Sequence, residues 1–462
     1  MIDMEHEYTK DEISMILDTF MYVGDIEYEE GESLGQIVSR MSEMSDINGQ
    51  YREEYAILKD AVNNPKIAEL KIACPARKMG YNEGTNAVTF VSPDKENVYV
   101  VFRGTADGEW PDNGKGLVDA RTIQQDEAVR YFDEVVETLG ITPAVDLTVT
   151  GHSKGGNKAQ YVTMDSQYAA LIDQCYSIDG QGHSDAAINM WKKKYSEGEY
   201  SERVAKIYGI NGENDFVSVL GNVIIASSNI RYIKTPVPAT DVAGYHDITG
   251  MFAKESVDAD GKTNLKYSSL RNDIALSRGK FADGVAQLSK RVMEMPEFIR
   301  KCSTATTMQI AEAVGGERTI GINNERLSVL EAGIFAKTGI PVILLSLVGT
   351  GEGKQIINSL FNGEDLVKTV GSDENISLNY LRIEESAQNL QMICDKINAL
   401  LSIIETAGLA ISLRIDGVAY KKACLQGSVI SLKVTEMKMR KLSQIQSKIA
   451  SLYKKFDNNL PD

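Results

Sequence analysis

Read for apolar periodicity, the first 250 residues alternate between helical and strand patterns. "YTKDEISMILDTFMYV" repeats apolar positions at helical spacing. It opens on Thr9 with Glu12 three residues later, the signature of a capping box. "TNAVTFVSPDKENVYVVFRGT" holds two β-rich runs around a turn containing Pro and Asp, which predicts a hairpin. The second run, "VYVVF", is apolar on both faces, as a central strand must be. "DARTIQQDEAVRYFDEVVETLG" predicts a helix ending at Gly140, and "VDLTVT" a strand. "NKAQYVTMDSQY" then predicts a helix, "CYSIDG" and "RVAKIYGING" predict strands, and "NIRYIKTP" a last edge strand. This alternation predicts an α/β layer built on a mostly parallel sheet.

After "YHDITGMF" the pattern changes. "ESVDADGKTN" is polar and contains Gly and Asp, and it reads as a linker. Beyond it strand signals nearly vanish, and "LRNDIALSRGKFADGVAQLSKRVMEMPEFIRK" reads as helical. Two long helices are expected near the end. Ile376, Tyr380, Ile383, Ala387, Leu390, Cys394, Ile397 and Leu401 recur at spacings of four and three, and Leu442, Ile445, Ile449, Leu452 and Phe456 do the same. Asp416–Gly417 suits the break between them. The expected organisation is an α/β domain over residues 1–255, then an all-α domain over 256–462 ending in a helical hairpin at about 372–458. No repeat of 20–50 residues is seen.

Composition narrows the function classes. The chain has 462 residues, 43% hydrophobic and 25% charged, with a formal net charge of −16. That balance disfavours nucleic acid as a partner and purely electrostatic docking on an anionic membrane. Five scattered cysteines, Cys74, Cys175, Cys302, Cys394 and Cys424, form no C-x-x-C pair. The acidic start "MIDMEHEYTKDEISM" has no apolar core of a secretory signal, and the longest apolar run, "GIPVILLSLVG", is too short to span a bilayer. The expectation is a cytoplasmic protein, or one exported without a cleaved signal peptide, and with no transmembrane segment.

The candidate chemistry lies in "DLTVTGHSKGGNKAQ". A bare G-x-S-x-G carries little weight. Here it follows a predicted strand and opens a predicted helix, the setting in which a sharp turn lifts the serine hydroxyl above a sheet. Ser153 is therefore the candidate nucleophile. It needs a general base, and the chain has four histidines. His6 is in the N-terminal tail, and His152 precedes the serine with its side chain turned away. His183, in "DGQGHSD", and His246, in "AGYHDITG" after the last predicted strand, remain. The order Ser, acid, His favours His246. Between serine and base, Asp215 in "GENDFVSVLG" and Asp179 in "YSIDG" both end strands, while Glu213 and Asp247 are nearby alternatives. An oxyanion hole needs two backbone N–H groups. Lys154, following the nucleophile, offers one, and Thr105 after "VVFRG" the other. Arg103 reads as a structural charge.

"VVFRGT", "VTGHSKGGN", "YSIDGQG", "GENDFVSVLG" and "YHDI", in this order, resemble the class 3 lipase-like α/β-hydrolases over residues 70 to 250. The resemblance implies a Ser153–Asp215–His246 triad acting on lipid or other carboxylic esters, oxyanion amides at Thr105 and Lys154, and no cofactor or metal. Lys154 departs from the apolar residue usual in fungal enzymes, and "DGQG" departs from their Pro-Arg pair; both suit a bacterial branch better. A lipase-like domain followed by a helical hairpin also resembles type VII secretion effectors with the domain order reversed. That likeness implies signal-less export, an antibacterial or virulence role, and small helical-hairpin partner proteins on the C-terminal helices. The alternative is a non-catalytic interaction protein on a vestigial hydrolase scaffold.

Other signals are weaker. "LVGTGEGKQ" lacks the first glycine and the Ser or Thr of a phosphate loop, having Val348 and Gln355 there. "SVDADGKTN" has its glycine misplaced for a calcium loop. Asp107, Glu109 and Asp112 cluster as a candidate cation site, Trp110 is a candidate for the substrate entrance, and residues 106–120 are a candidate lid.

Overall fold

The computed structural model describes residues 7–304 apart from 25, 45–46, 48, 82–84, 107–108, 238–242, 259–262, 295–299 and 301–303. The expected C-terminal helices, the hairpin at about 372–458, the "LVGTGEGKQ" segment, and Cys302, Cys394 and Cys424 lie outside the described residues, as do the partner and export roles tied to them.

Ten strands are present among the described residues: β1 (Lys71–Ala73), β2 (Ala87–Val91), β3 (Asn97–Phe102), β4 (Asp146–His152), β5 (Gln174–Ile178), β6 (Ile207–Gly212), β7 (Ile230–Ile233), β8 (Phe252–Asp258), β9 (Thr263–Arg271) and β10 (Ile274–Ala275). Eight form one mixed sheet in the order β1-β2-β3-β4-β5-β6-β7-β10. Strands β3 to β7 run parallel, and β1, β2 and β10 pair antiparallel at the two edges. The helices are α1 (Lys10–Phe20), α2 (Leu34–Met41), α3 (Arg52–Ala61), α4 (Pro65–Ala68), α5 (Trp110–Gly116), α6 (Ile123–Leu139), α7 (Lys154–Asp165), α8 (Asp185–Lys194), α9 (Glu197–Ala205) and α10 (Lys280–Met293). None among the described residues is long and apolar enough to cross a membrane.

The alternation of side chains along each strand splits the core into two layers. Val88, Phe90, Tyr99, Val101, Ile178 and Ile210 meet Met15, Ile16, Leu17 and Phe20 of α1, with α2 and α3 behind. Val98, Val100, Phe102, Leu147 and Val149 face Tyr131, Phe132 and Val135 of α6 and Tyr161 and Val162 of α7. Parallel strands covered on both faces tend to be apolar throughout, which is why β3 reads as a continuous apolar run. Helix α1 starts with the expected Thr9–Glu12 capping box, and α6 ends at Gly140 in the left-handed conformation, φ 61°.

The described residues of the stretch read as a linker are instead strand, the end of β8 and the start of β9, which pair antiparallel. The chain then returns to the main sheet, because β10 pairs with β7. Strand content therefore runs past residue 255, and the segment read as one helix after it begins with β9 and β10 and becomes helical at Lys280. Charges that look solvated in sequence are used here: Arg231 and Arg271 both reach Asp11 of α1.

Candidate active site

Strand β4 ends at His152 and α7 begins at Lys154, so the whole turn is made by Ser153, with φ 60° and ψ −123°. An L-residue with a side chain avoids that region unless its surroundings enforce it. Two glycines do so. A Cβ on Gly151 would stand 2.2 Å from the carbonyl carbon of Gly155, and one on Gly155 would stand 2.0 Å from the carbonyl oxygen of Phe102. Only bare backbone lets β3, β4 and α7 approach this closely. The Ser153 N–H donates to the Ile178 carbonyl of β5 at 2.9 Å, tying the turn to the neighbouring strand.

The Ser153 hydroxyl lies 2.8 Å from Nε2 of His246, and Nδ1 of His246 lies 2.7 Å from Oδ1 of Asp215. His246 ends a 3-10 turn, Ala243–His246, and its ring has Phe216 at 5.5 Å. Asp215 is wholly buried in the loop after β6, where its carboxylate accepts from the backbone N–H groups of Val217 (3.2 Å) and Ser218 (2.6 Å). Those donors fix which oxygen faces the imidazole. The order is that of a nucleophile, an imidazole base and an orienting carboxylate.

The other candidates lie elsewhere. Asp247 caps the following 3-10 turn through the Thr249 N–H at 2.9 Å. Glu213 is held through its backbone N–H by Ile233 at 2.8 Å. His183 is buried beneath α7, with Nδ1 3.3 Å from Nδ2 of Asn157 and its ring edge-on to Trp191 at 5.0 Å. Burial, then the charge of Lys154, pushes its pKa down to about 3, so it is a neutral core imidazole.

Asp179 is close to the triad geometry without being in it. It sits at φ 45°, fully buried, with Oδ1 accepting from the Gly212 N–H at 2.8 Å and Oδ2 3.8 Å from Nε2 of His152. Burial, then the adjacent Asp215 carboxylate, holds its carboxyl well above the usual carboxylate range. His152 in turn receives the hydroxyl of Tyr22 on Nδ1 at 2.6 Å and stacks on His246. Burial first and the charge of His246 second hold the His152 pKa well below the usual range. The sequence places Tyr22 far from the motif, just past α1, so only the fold brings it in.

One ligand atom from each of His152, Asp179 and His246 falls within 4.8 Å of the others, a spacing that invites a metal. The chemistry disagrees. Both nitrogens of His246 are already engaged with Asp215 and Ser153. The two imidazoles are stacked, so their in-plane lone pairs do not converge on one point. The acidic loop likewise has protein partners: Asp112 is paired with Lys154 at 2.7 Å, and Glu109 accepts from the Ala106 N–H at 2.9 Å. Asp107 is outside the described residues, and Trp110 is half-buried at the start of α5. The thiols of Cys74 and Cys175 are buried and pushed up to about 11 and about 12, chiefly by desolvation, which leaves them un-ionised near neutrality.

Thr105 follows β3 beside the elbow. A Cβ on the preceding Gly104 would lie 3.2 Å from Cβ of Ser153 and 2.1 Å from the Tyr22 hydroxyl. The Thr105 hydroxyl accepts from Nδ2 of Asn113 at 2.8 Å. Lys154 is the first residue of α7, where a backbone N–H has no intrahelical acceptor. Its side chain is wholly buried. Lys158, one turn on, donates to the Arg103 carbonyl at 3.3 Å and is pushed down to about 8 by burial, with Glu109 opposing.

The Mbeg1-like family profile, a lipase-like one, matches residues 62–236. Solved structures similar to this chain include the Lip2 lipase of Yarrowia lipolytica, 14% identical over 49% of this chain and 78% of that one, TM-score 0.28. The Rhizomucor miehei lipase propeptide complex is 16% identical over 49% and 81%, TM-score 0.26. M37 lipase is 11% identical over 77% and 99%, TM-score 0.30. No curated protein matches the chain. The family match takes in the elbow and Asp215 and stops short of His246.

Proposed function

We propose that this protein is a serine hydrolase that cleaves carboxylic esters, with lipid acyl esters, phospholipids included, as its substrate class. The observation that carries the reading is the unbroken pair of hydrogen bonds from Ser153 Oγ through His246 to a buried Asp215. His246 takes the hydroxyl proton on Nε2 as Ser153 Oγ attacks the ester carbonyl carbon. Asp215 keeps the Nδ1 proton in place and stabilises the imidazolium. The oxyanion accepts from the amides of Thr105 and Lys154, the second of which also has the N-terminal end of α7 behind it. The tetrahedral species collapses, the alcohol leaves with the proton from His246, and the acyl group stays on Ser153. Water, deprotonated by His246, then attacks the acyl-enzyme and frees the carboxylic acid.

The test is release of nitrophenol from short- and long-chain acyl nitrophenyl esters by the full chain and by Ser153→Ala. Wild-type turnover lost in the variant supports the reading, and undiminished turnover in a folded Ser153→Ala sinks it. A lipid profile of phospholipid vesicles incubated with the two proteins names the bond that is cut.

A further inference from the structure

Resting on the ester-hydrolase reading above, we propose that Asp112 is a positioning residue: its buried ion pair with Lys154 clamps α5 to the nucleophile helix and holds the Thr105 loop ready for the oxyanion. Nothing in the catalytic scheme requires a lysine after the serine, since only its amide is used. Yet the Lys154 side chain is completely buried and runs to Asp112, with Nζ 2.7 Å from Oδ2 and 3.4 Å from the Asp112 carbonyl oxygen. The Asp112 carboxylate also accepts from the Thr122 hydroxyl at 2.8 Å, at the N-cap of α6. An apolar pair would fill this space without the desolvation of two charges. What an ion pair adds is one defined geometry, and here it joins the two segments that carry the proposed oxyanion amides.

The bonds around the pair run the same way. Asn113, next to Asp112, donates to the Thr105 hydroxyl at 2.8 Å, and its carbonyl accepts from Nε2 of Gln181 at 3.0 Å. Lys158, on the same face of α7 as Lys154, holds the Arg103 carbonyl. The loop is thus fastened to α7 on both sides of Thr105. The segment expected to be a lid, residues 106–120, contains this clamp. Swinging α5 away would leave two buried charges without their partner. The geometry points to an oxyanion loop that is formed before substrate arrives.

The experiment compares the full chain with Asp112→Asn/Lys154→Met, which removes both charges and keeps the Lys154 amide position. It reads hydrogen exchange of the 103–106 backbone together with kcat and KM on a soluble ester. The expected result is at least tenfold faster exchange in that loop and at least a tenfold fall in kcat, with KM within twofold. Should the double variant fail to fold, Asn113→Ala, which releases only the Thr105 hydroxyl, must still lower kcat severalfold at unchanged KM. A folded variant with wild-type loop exchange and wild-type kcat overturns the proposal. If wild type itself hydrolyses no ester while the loop still loosens in the double variant, the ester-hydrolase reading falls, and with it the role of Asp112 in catalysis, but not the clamp.

Discussion

The imidazole of His152 lies on that of His246, with 4.7 Å between ring centroids and 29° between ring planes. The residue before the nucleophile therefore supports the base from its flat side. Burial raises the Tyr22 hydroxyl well above its ordinary range, so it remains protonated, and it shares a hydrogen bond with Nδ1 of His152. The other ring nitrogen of His152, Nε2, lies 3.8 Å from Oδ2 of Asp179. Tyr22→Phe leaves a buried ring nitrogen of His152 without its hydrogen-bond partner and is expected to cost about 1–3 kcal/mol of stability, read by urea unfolding. A severalfold fall in kcat should accompany it. An unchanged unfolding midpoint would mean that the hydrogen bond contributes nothing.

Asp215 and Asp179 are buried side by side at the ends of neighbouring strands, yet they are not equivalent. Asp215 faces Nδ1 of His246, while burial and then the Asp215 carboxylate push the Asp179 carboxyl well above the usual carboxylate range. Asp215→Asn should lower kcat by on the order of 10⁴, because the amide selects the wrong imidazole tautomer. Asp179→Asn changes a side chain outside the Ser153–His246–Asp215 hydrogen bonds and should stay within an order of magnitude of wild type. Steady-state kinetics on one ester distinguishes them, and the reverse ranking would hand the role to Asp179.

Much of this was readable from residue order. Strands β2 to β7, helices α1, α6 and α7, and the elbow all follow from periodicity, a capping box and a glycine terminator. The order Ser, acid, His pointed to Ser153 and His246 but left Asp179 beside Asp215 as the acid, with the family resemblance naming Asp215; the hydrogen bonds join Ser153, His246 and Asp215. What sequence could not show depends on long-range packing. Tyr22 has no local signal, since its role comes from α1 crossing the sheet beside Gly104. Lys154 read as a departure from the family pattern and Asp112 as part of a candidate cation site, because nothing in sequence says that both are buried. Strands β8 and β9 were missed because their run is polar and β10 because it is two residues long, and pairing rather than propensity makes them strands.

Buried neutral groups should give the fold a stability maximum in pH. The His183 pKa is lowered to about 3 in the folded chain, so its contribution is complete above the unfolded histidine value and is lost as pH falls from there toward about 3. Asp18, buried on α1 beneath Thr150, is shifted upward by desolvation, so its contribution is present below the unfolded carboxylate value and is lost as pH rises through the raised one. Melting temperatures across pH 4 to 8 should show a shallower acid slope in His183→Phe. Asp18→Asn should lose less stability than wild type between pH 4 and 8. Parallel wild-type and variant curves would contradict both assignments.

The central claim is that Ser153 is a nucleophile activated by His246. A fluorophosphonate traps such a serine directly: the hydroxyl oxygen bonds to phosphorus, fluoride leaves, and the proton passes to the base. Intact-mass and peptide analysis of the full chain after incubation should show a single adduct, on the peptide containing Ser153. Labelling should be absent from Ser153→Ala and slowed by at least roughly 10³-fold in His246→Ala. No adduct on the folded wild type, or equal labelling in His246→Ala, would contradict it.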